Sequence, residues 1–146
     1  NELFKRYETM KQSKIYQKTL KMKKSKERNK QFREINKEFG LTEYSLHKFV
    51  KPIQKHFKKN IDSFTAQKIA TRCFNAFEEK LYNPSVKVKF KRYEMLNSLE
   101  GKSNKTGIRY LNQILKWNNL NIPIIIKDND YYAEEALINN IKYSRI

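Results

Sequence analysis

Residues 108–126, IRYLNQILKWNNLNIPIII, decide the fold of the β-rich part of this chain. Two polar pairs, at 112–113 and 118–119, divide this stretch into three short apolar segments. Such pairs between apolar segments are typical of two-residue hairpin turns. These turns place Tyr110 opposite Leu115, and Trp117 opposite both Ile108 and Leu120. The sequence therefore predicts a three-stranded antiparallel meander.

The two faces of this meander are expected to differ in polarity, because side chains alternate along a strand. The predicted apolar face consists of Ile108, Tyr110, Leu115, Trp117, Leu120, Ile122 and Ile124. The opposite face presents Arg109, Lys116 and Asn121. Further alternation predicts a strand at residues 86–92 and a last strand at 141–146, with a short helix at 130–139 between them.

Before Asn83, apolar residues recur instead at the three- and four-residue spacing of a helix. Gly40 is a typical stop, Thr42 a typical N-cap, and Asp62 or Ser63 the cap of the following helix. Pro52 is expected to kink or split the helix that contains it. The fold class is therefore α+β, with a helical module of three to four helices at 1–83 and a β-rich module at 84–146.

Charge is the dominant feature of the composition. The chain of 146 residues has 32 Lys and Arg against 15 Asp and Glu, which gives a formal net charge of +17. Such a chain favours polyanionic partners, of which nucleic acid is the most common. No apolar run reaches the length of a membrane span, so we expect no membrane partner and a cytoplasmic protein.

No catalytic or metal-binding pattern is recognisable. Cys73 is the only cysteine, and with His47 and His56 it cannot supply the ligands of a structural zinc site. Residues 101–103, GKS, resemble the end of a phosphate-binding loop, but Leu96 stands where that motif requires glycine. We therefore expect no cofactor, no metal and no enzymatic activity from this chain by itself.

The candidate binding residues are cations that share one face of a predicted element. On a strand, alternate residues are roughly 6.5–7 Å apart, close to the separation of successive phosphates. On a helix, residues three and four apart share a face. A solvated surface is the simpler alternative for each group. The predicted nucleic-acid-binding residues are Lys14, Lys18, Lys21, Lys87, Lys89, Lys91, Arg92, Lys102, Lys105, Arg109 and Lys116.

Four stretches resemble the TnpB or OrfB-type proteins of insertion sequences, which are mobile elements. They are 41–49 (LTEYSLHKF), 62–70 (DSFTAQKIA), 97–110 (NSLEGKSNKTGIRY) and 117–126 (WNNLNIPIII), in the same order as in that family. The resemblance covers most of the chain from about Phe32 onward. It rests on these short stretches of sequence and on their order, and it includes no catalytic signature.

The resemblance implies the front part of a bacterial RNA-guided DNA endonuclease, long labelled a transposase. In that family an oligonucleotide-binding-like wedge barrel and an inserted helical recognition module hold guide RNA and target DNA, while a separate RuvC-like domain cleaves. Residues 1–83 would correspond to the recognition module and 84–146 to the wedge. The implied location is the cytoplasm, in association with the nucleoid.

Several family features lie outside this sequence. An opening wedge strand and the RuvC-like domain are not recognisable, so the chain is expected to be a fragment that continues beyond both ends. An exposed sheet edge would then allow self-association.

Two alternatives stay open: a helix-turn-helix regulator built from residues 41–82, and the DNA-binding part of a transposase that joins strands itself.

Neutralising Lys87, Lys89 and Lys91 together is expected to weaken nucleic-acid binding. Each lost phosphate contact should lower the slope of log affinity against log salt by roughly 0.7–0.9. Binding titrations across a salt series measure this slope. An unchanged slope would contradict the assignment of these lysines to the phosphate backbone.

Overall fold

The computed structural model describes residues 2–89, 95 and 98–146. Within these residues, five helices precede a three-stranded antiparallel sheet and a further helix, which confirms the α+β class. The helices are α1 (Glu2–Gln12), α2 (Lys14–Leu20), α3 (Lys26–Glu38), α4 (Glu43–His56), α5 (Ser63–Tyr82) and α6 (Tyr131–Ile138). The strands are β1 (Arg109–Leu111), β2 (Ile114–Trp117) and β3 (Leu120–Pro123).

The number of helices before the sheet is five, against the three or four predicted. The difference arises at Ser13, whose side chain accepts a hydrogen bond from the backbone N–H of Tyr16 and caps a new helix. Lys11 therefore lies on a different helix, α1, from Lys14 and Lys18 of α2. The split that Pro52 could cause does not occur, because α4 continues through the proline to His56.

The other helix boundaries follow the predicted capping residues. Gly40 adopts a left-handed φ of 66° after α3, and Thr42 caps α4 by accepting from the N–H of Ser45. Asp62, rather than Ser63, caps α5. Short polar side chains at these positions satisfy the free N–H groups of each first turn, which fixes where each helix begins.

Two small apolar clusters hold the helices together. The larger one buries side chains from α1, α2, α3 and α5, and the smaller one joins α4 to α5. The accessible surface is 11816 Å², whereas a compact monomer of this mass exposes roughly 8,000 Å². Large apolar side chains therefore remain uncovered, such as Ile125, which is 93% exposed.

The predicted hairpin registers are confirmed. Tyr110 pairs with Leu115 and Trp117 with Leu120. Asn112 and Gln113 both have positive φ, at 50° and 60°, as a type I′ turn requires. Ile108 lies just before β1 and is fully buried. Turn residues at the two polar pairs thus set the pairing of all three strands.

The two flanking strands are not formed as predicted. Residues 86–89 lie outside any strand, and 90–92 lie outside the described residues. Lys80 lies in the last turn of α5, and its Nζ donates a hydrogen bond to the carbonyl oxygen of Val86 at 3.1 Å. At the C-terminus a single bridge joins Arg145 to Glu100, with Leu99 and Ile146 exchanging backbone hydrogen bonds beside it. The helix predicted at 130–139 is confirmed as α6.

Candidate nucleic-acid interface

The lysines of α2 occupy an exposed face. Lys14 and Lys18 point away from the side chains of Tyr16 and Thr19, which are buried against the helical core. Lys21 is the C-cap residue and is also exposed. None of the three lysines forms an ion pair with a described residue. They remain available to an anionic partner, but α2 packs with α1 and α3, apart from the sheet residues named below.

The segment after α5 exposes two of its four predicted cations. Lys87 and Lys89 are exposed and alternate with half-buried Val86 and Val88, so the alternation expected of a strand persists without strand pairing. Lys91 and Arg92 lie outside the described residues.

The loop at 101–107 is held in place on both sides. Asn104 accepts from the backbone N–H of Tyr110 and donates to the same residue's carbonyl, at 2.6 and 3.1 Å. A side chain at Gly101 would lie 2.6 Å from the carbonyl oxygen of Ile108, so only glycine fits there. Lys102 and Lys105 are exposed on this fixed loop. Its geometry suits contact with a phosphate, because little conformational freedom is left to lose on binding.

The polar face of the sheet brings two cations together. Arg109 and Lys116 are directly opposite each other on β1 and β2. Like charges at such a position destabilise an isolated sheet. Neither side chain has a carboxylate partner among the residues that the structure describes. An anion bound over this face would relieve their repulsion.

A basic groove between α4 and α5 is the feature that the sequence reasoning missed. Lys48, Lys51 and Lys55 follow one face of α4, and Lys102 reaches the same groove from the loop. The groove has a volume of about 730 Å³ and is open to solvent. No acidic side chain is among the described residues that line it. The spacing of three and four residues in α4 is the same signal that singled out Lys14, Lys18 and Lys21.

Hydrogen bonds fix the walls of this groove. Lys102 Nζ donates to Gln67 Oε1 at 3.2 Å. His47 Nε2 lies 2.9 Å from the hydroxyl oxygen of Thr71, which donates to Glu43 Oε1 at 2.6 Å. These contacts tie α4, α5 and the loop into one surface, so the four lysines keep their relative positions.

Two carboxylates connect α5 to the β-rich part. Asp62 accepts hydrogen bonds from the backbone N–H groups of Phe64 and Thr65, from the Thr65 hydroxyl and from Trp117 Nε1, the last at 3.0 Å. Burial raises the pKa of Asp62, but the hydrogen bonds from Thr65, Trp117 and Phe64 outweigh burial and hold the pKa below its usual value.

Glu100 is the second connecting carboxylate, with a side chain only 10% exposed. Its Oε1 lies 2.8 Å from Lys68 Nζ and its Oε2 3.0 Å from Arg145. The hydrogen bond from Lys68 is the main reason that the pKa of Glu100 lies below its usual value, with a further contribution from Arg145. One carboxylate thus joins α5, the segment at 99–101 and the C-terminus.

Replacing Glu100 by glutamine is expected to lower the free energy of unfolding by about 1–2 kcal/mol, because two charge-assisted hydrogen bonds are weakened at a partly solvated site. Urea denaturation at neutral pH measures this change. Glu134→Gln on exposed α6 is the control, with an expected change within about 0.5 kcal/mol. Equal effects of both substitutions would show that Glu100 contributes no more than an ordinary surface charge.

The described residues form neither a metal site nor a membrane-spanning helix. No group of three or more His, Cys, Asp or Glu side chains there could hold a metal ion. Among the helices at 2–89 and 98–146, none combines the length and the apolar character needed to cross a bilayer.

Comparisons of the chain with protein-family models, with curated proteins and with solved structures found no match.

Proposed function

We propose that this chain binds nucleic acid by contacting its phosphate backbone. The observation that carries the proposal is the groove between α4 and α5, where Lys48, Lys51, Lys55 and Lys102 converge and no described lining residue is acidic. Clustered lysines without counter-charges repel one another, and a polyanion relieves that repulsion while it releases counterions.

The sequence resemblance gives the proposal its more specific form. In a TnpB-like RNA-guided endonuclease, residues 1–83 would belong to the recognition module and 84–146 to the wedge. Base pairing with the guide RNA would then read most of the sequence, and the protein would contact mainly backbone. Cations on the sheet, such as exposed Arg109 and half-buried Lys116 opposite it, support this division of roles.

The packing around α5 disfavours the helix-turn-helix alternative. A recognition helix contacts base edges with the residues near its N-terminus. Here Trp117 donates to Asp62 at that terminus, and a side chain at Gly107 would lie 3.5 Å from Phe64 Cβ. The sheet and the loop thus cover part of the turn that would have to enter a major groove.

Binding of the whole chain to structured RNA, single-stranded DNA and duplex DNA across a salt series tests the proposal. We expect the tightest binding to the RNA, with an affinity that falls steeply as salt rises. Competition with unrelated duplex DNA should then have little sequence dependence. If the chain instead prefers one duplex sequence and RNA does not affect this binding, the chain is a DNA-reading regulator. If it binds none of the three nucleic acids, the proposal is overturned.

A further inference from the structure

Tyr44 stands at the edge of the basic groove with most of its ring in solvent. Its side chain is 68% exposed, although it lies in the first turn of α4, one turn before Lys48. The ammonium group of Lys48 lies over one face of the ring, 4.8 Å from its centre, so a base would stack on the opposite face. An exposed aromatic ring beside a cation is the arrangement with which proteins stack a nucleobase while they neutralise its phosphate.

The stacking contact selects the form of nucleic acid. The groove lies over two packed helices, because Leu46 and Val50 of α4 pack with Ala70 and Phe74 of α5. Inside a duplex both faces of each base are already stacked on neighbouring bases, whereas the bases of a single strand are free to stack on an aromatic side chain. An exposed ring at the edge of the groove therefore favours a single strand over a duplex.

Uncharged polar groups at the groove leave hydrogen-bonding capacity for base edges. The Gln54 amide nitrogen donates to the carbonyl of Ile61 at 2.9 Å, and its amide oxygen, which has no partner in the described part of the chain, can accept from a ligand. Gln67 accepts from Lys102 through its amide oxygen, and its amide nitrogen has no partner among the described residues. These two amides thus offer an acceptor and a donor beside the cations of the groove.

Lys48, Lys51 and Lys55 are spaced to follow a polynucleotide backbone along α4. At 1.5 Å of rise per residue, they are separated by about 4.5 and 6 Å along the helix axis. All three side chains are exposed, and they lack carboxylate partners in the described part of the chain. Flexible lysine side chains can adjust such intervals to successive phosphates.

We infer that the groove between α4 and α5 binds single-stranded polynucleotide, with one base stacked on Tyr44 and the backbone held by Lys48, Lys51 and Lys55. This inference rests on the proposed function and adds to it the form of the nucleic acid and the stacking residue. Free single-stranded RNA and free single-stranded DNA share the chemistry that the groove recognises, and the test separates them.

The test compares Tyr44→Ala, Tyr44→Phe and Tyr82→Ala in the whole chain. Tyr82, at the end of α5, is 67% exposed, does not line the groove, and is a matched control for the loss of an exposed tyrosine. The probes are oligouridylate, oligodeoxyuridylate and a DNA hairpin duplex of the same number of nucleotides. Thermal unfolding of each variant verifies that it is folded.

Tyr44→Ala is expected to weaken single-strand binding between about fivefold and a hundredfold, the range found for loss of one stacked base. Tyr44→Phe should bind like the unmodified chain, since the ring is retained, and Tyr82→Ala should also be unchanged. The salt slope should stay the same in Tyr44→Ala, because stacking releases no counterions. Unequal affinity for the two single strands would identify which sugar the groove prefers.

Equal losses in Tyr44→Ala and Tyr82→Ala would overturn the stacking inference, as would tighter binding of the hairpin duplex than of either single strand. Both of those results leave nucleic-acid binding itself intact. Absence of binding to all three probes by the unmodified chain would overturn the proposed function along with the inference, so the two failures are distinguishable.

Discussion

Replacing Lys48, Lys51 and Lys55 together by glutamine is expected to lower the affinity for polynucleotides about a hundredfold at 0.15 M salt. Each lysine that contacts a phosphate contributes roughly 0.7–0.9 to the slope of log affinity against log salt, so the slope should fall by about 2–3. Fluorescence anisotropy with a labelled oligonucleotide across a salt series measures both quantities. Helix α4 should persist, because all three side chains are exposed and glutamine is a good helix former.

A matched control exists on α3. Lys30, Arg33 and Lys37 have the same spacing, are equally exposed, and lose the same charge when replaced by glutamine. The two triple variants differ only in where the charge is lost. If the α3 variant loses as much affinity as the α4 variant, binding depends on net charge alone and the groove is not the binding site.

Replacing Asp62 by alanine is expected to lower the free energy of unfolding by about 2–4 kcal/mol. The loss of an N-cap accounts for about 0.5–2 kcal/mol, and the part-buried Trp117 Nε1–H loses its partner, which adds about 1–3 kcal/mol. The midpoint of thermal unfolding should fall by roughly 5–15 °C in a chain of this size. Asp128→Ala, an exposed loop substitution, is the control and should leave the midpoint nearly unchanged.

The effect of Asp62→Ala should depend on pH in a defined direction. Because the folded chain holds the pKa of Asp62 below its unfolded value, the ionised carboxylate stabilises the fold fully above about pH 4. That stabilisation is lost as pH falls through the lower folded pKa. The difference between the unmodified chain and Asp62→Ala should therefore be largest at neutral pH and shrink in acid; a difference that grows in acid would contradict the assignment.

The role of Trp117 can be separated from that of the helix cap. Trp117→Phe keeps an aromatic ring on the sheet but removes the donor to Asp62. A loss of about 1 kcal/mol is expected, smaller than that of Asp62→Ala, because the cap hydrogen bonds remain. Urea denaturation of both variants gives the comparison, and a larger loss in Trp117→Phe would show that ring packing dominates at this contact.

The proposed binding site was only partly predictable from the sequence. Spacing rules identified Lys14 and Lys18, which are exposed on one helix, and the register of the sheet placed Arg109 beside Lys116. The same spacing rule applies to the lysines of α4. Their importance emerges only once Lys102, about fifty residues farther along the chain, lies in the same groove. No local sequence pattern predicts that Lys102 lies near the lysines of α4, because this proximity results from the packing of the loop on α5.

The sequence by itself determined the α+β class, the capping residues Gly40 and Thr42, and the register of the meander. These features follow from short-range chemistry: turn residues, cap hydrogen bonds and the period of apolar side chains. Tertiary structure alone decided that the indole N–H of Trp117 donates to Asp62, the N-cap residue of α5. This contact depends on the packing of the sheet against the start of α5, which no local preference of either residue determines.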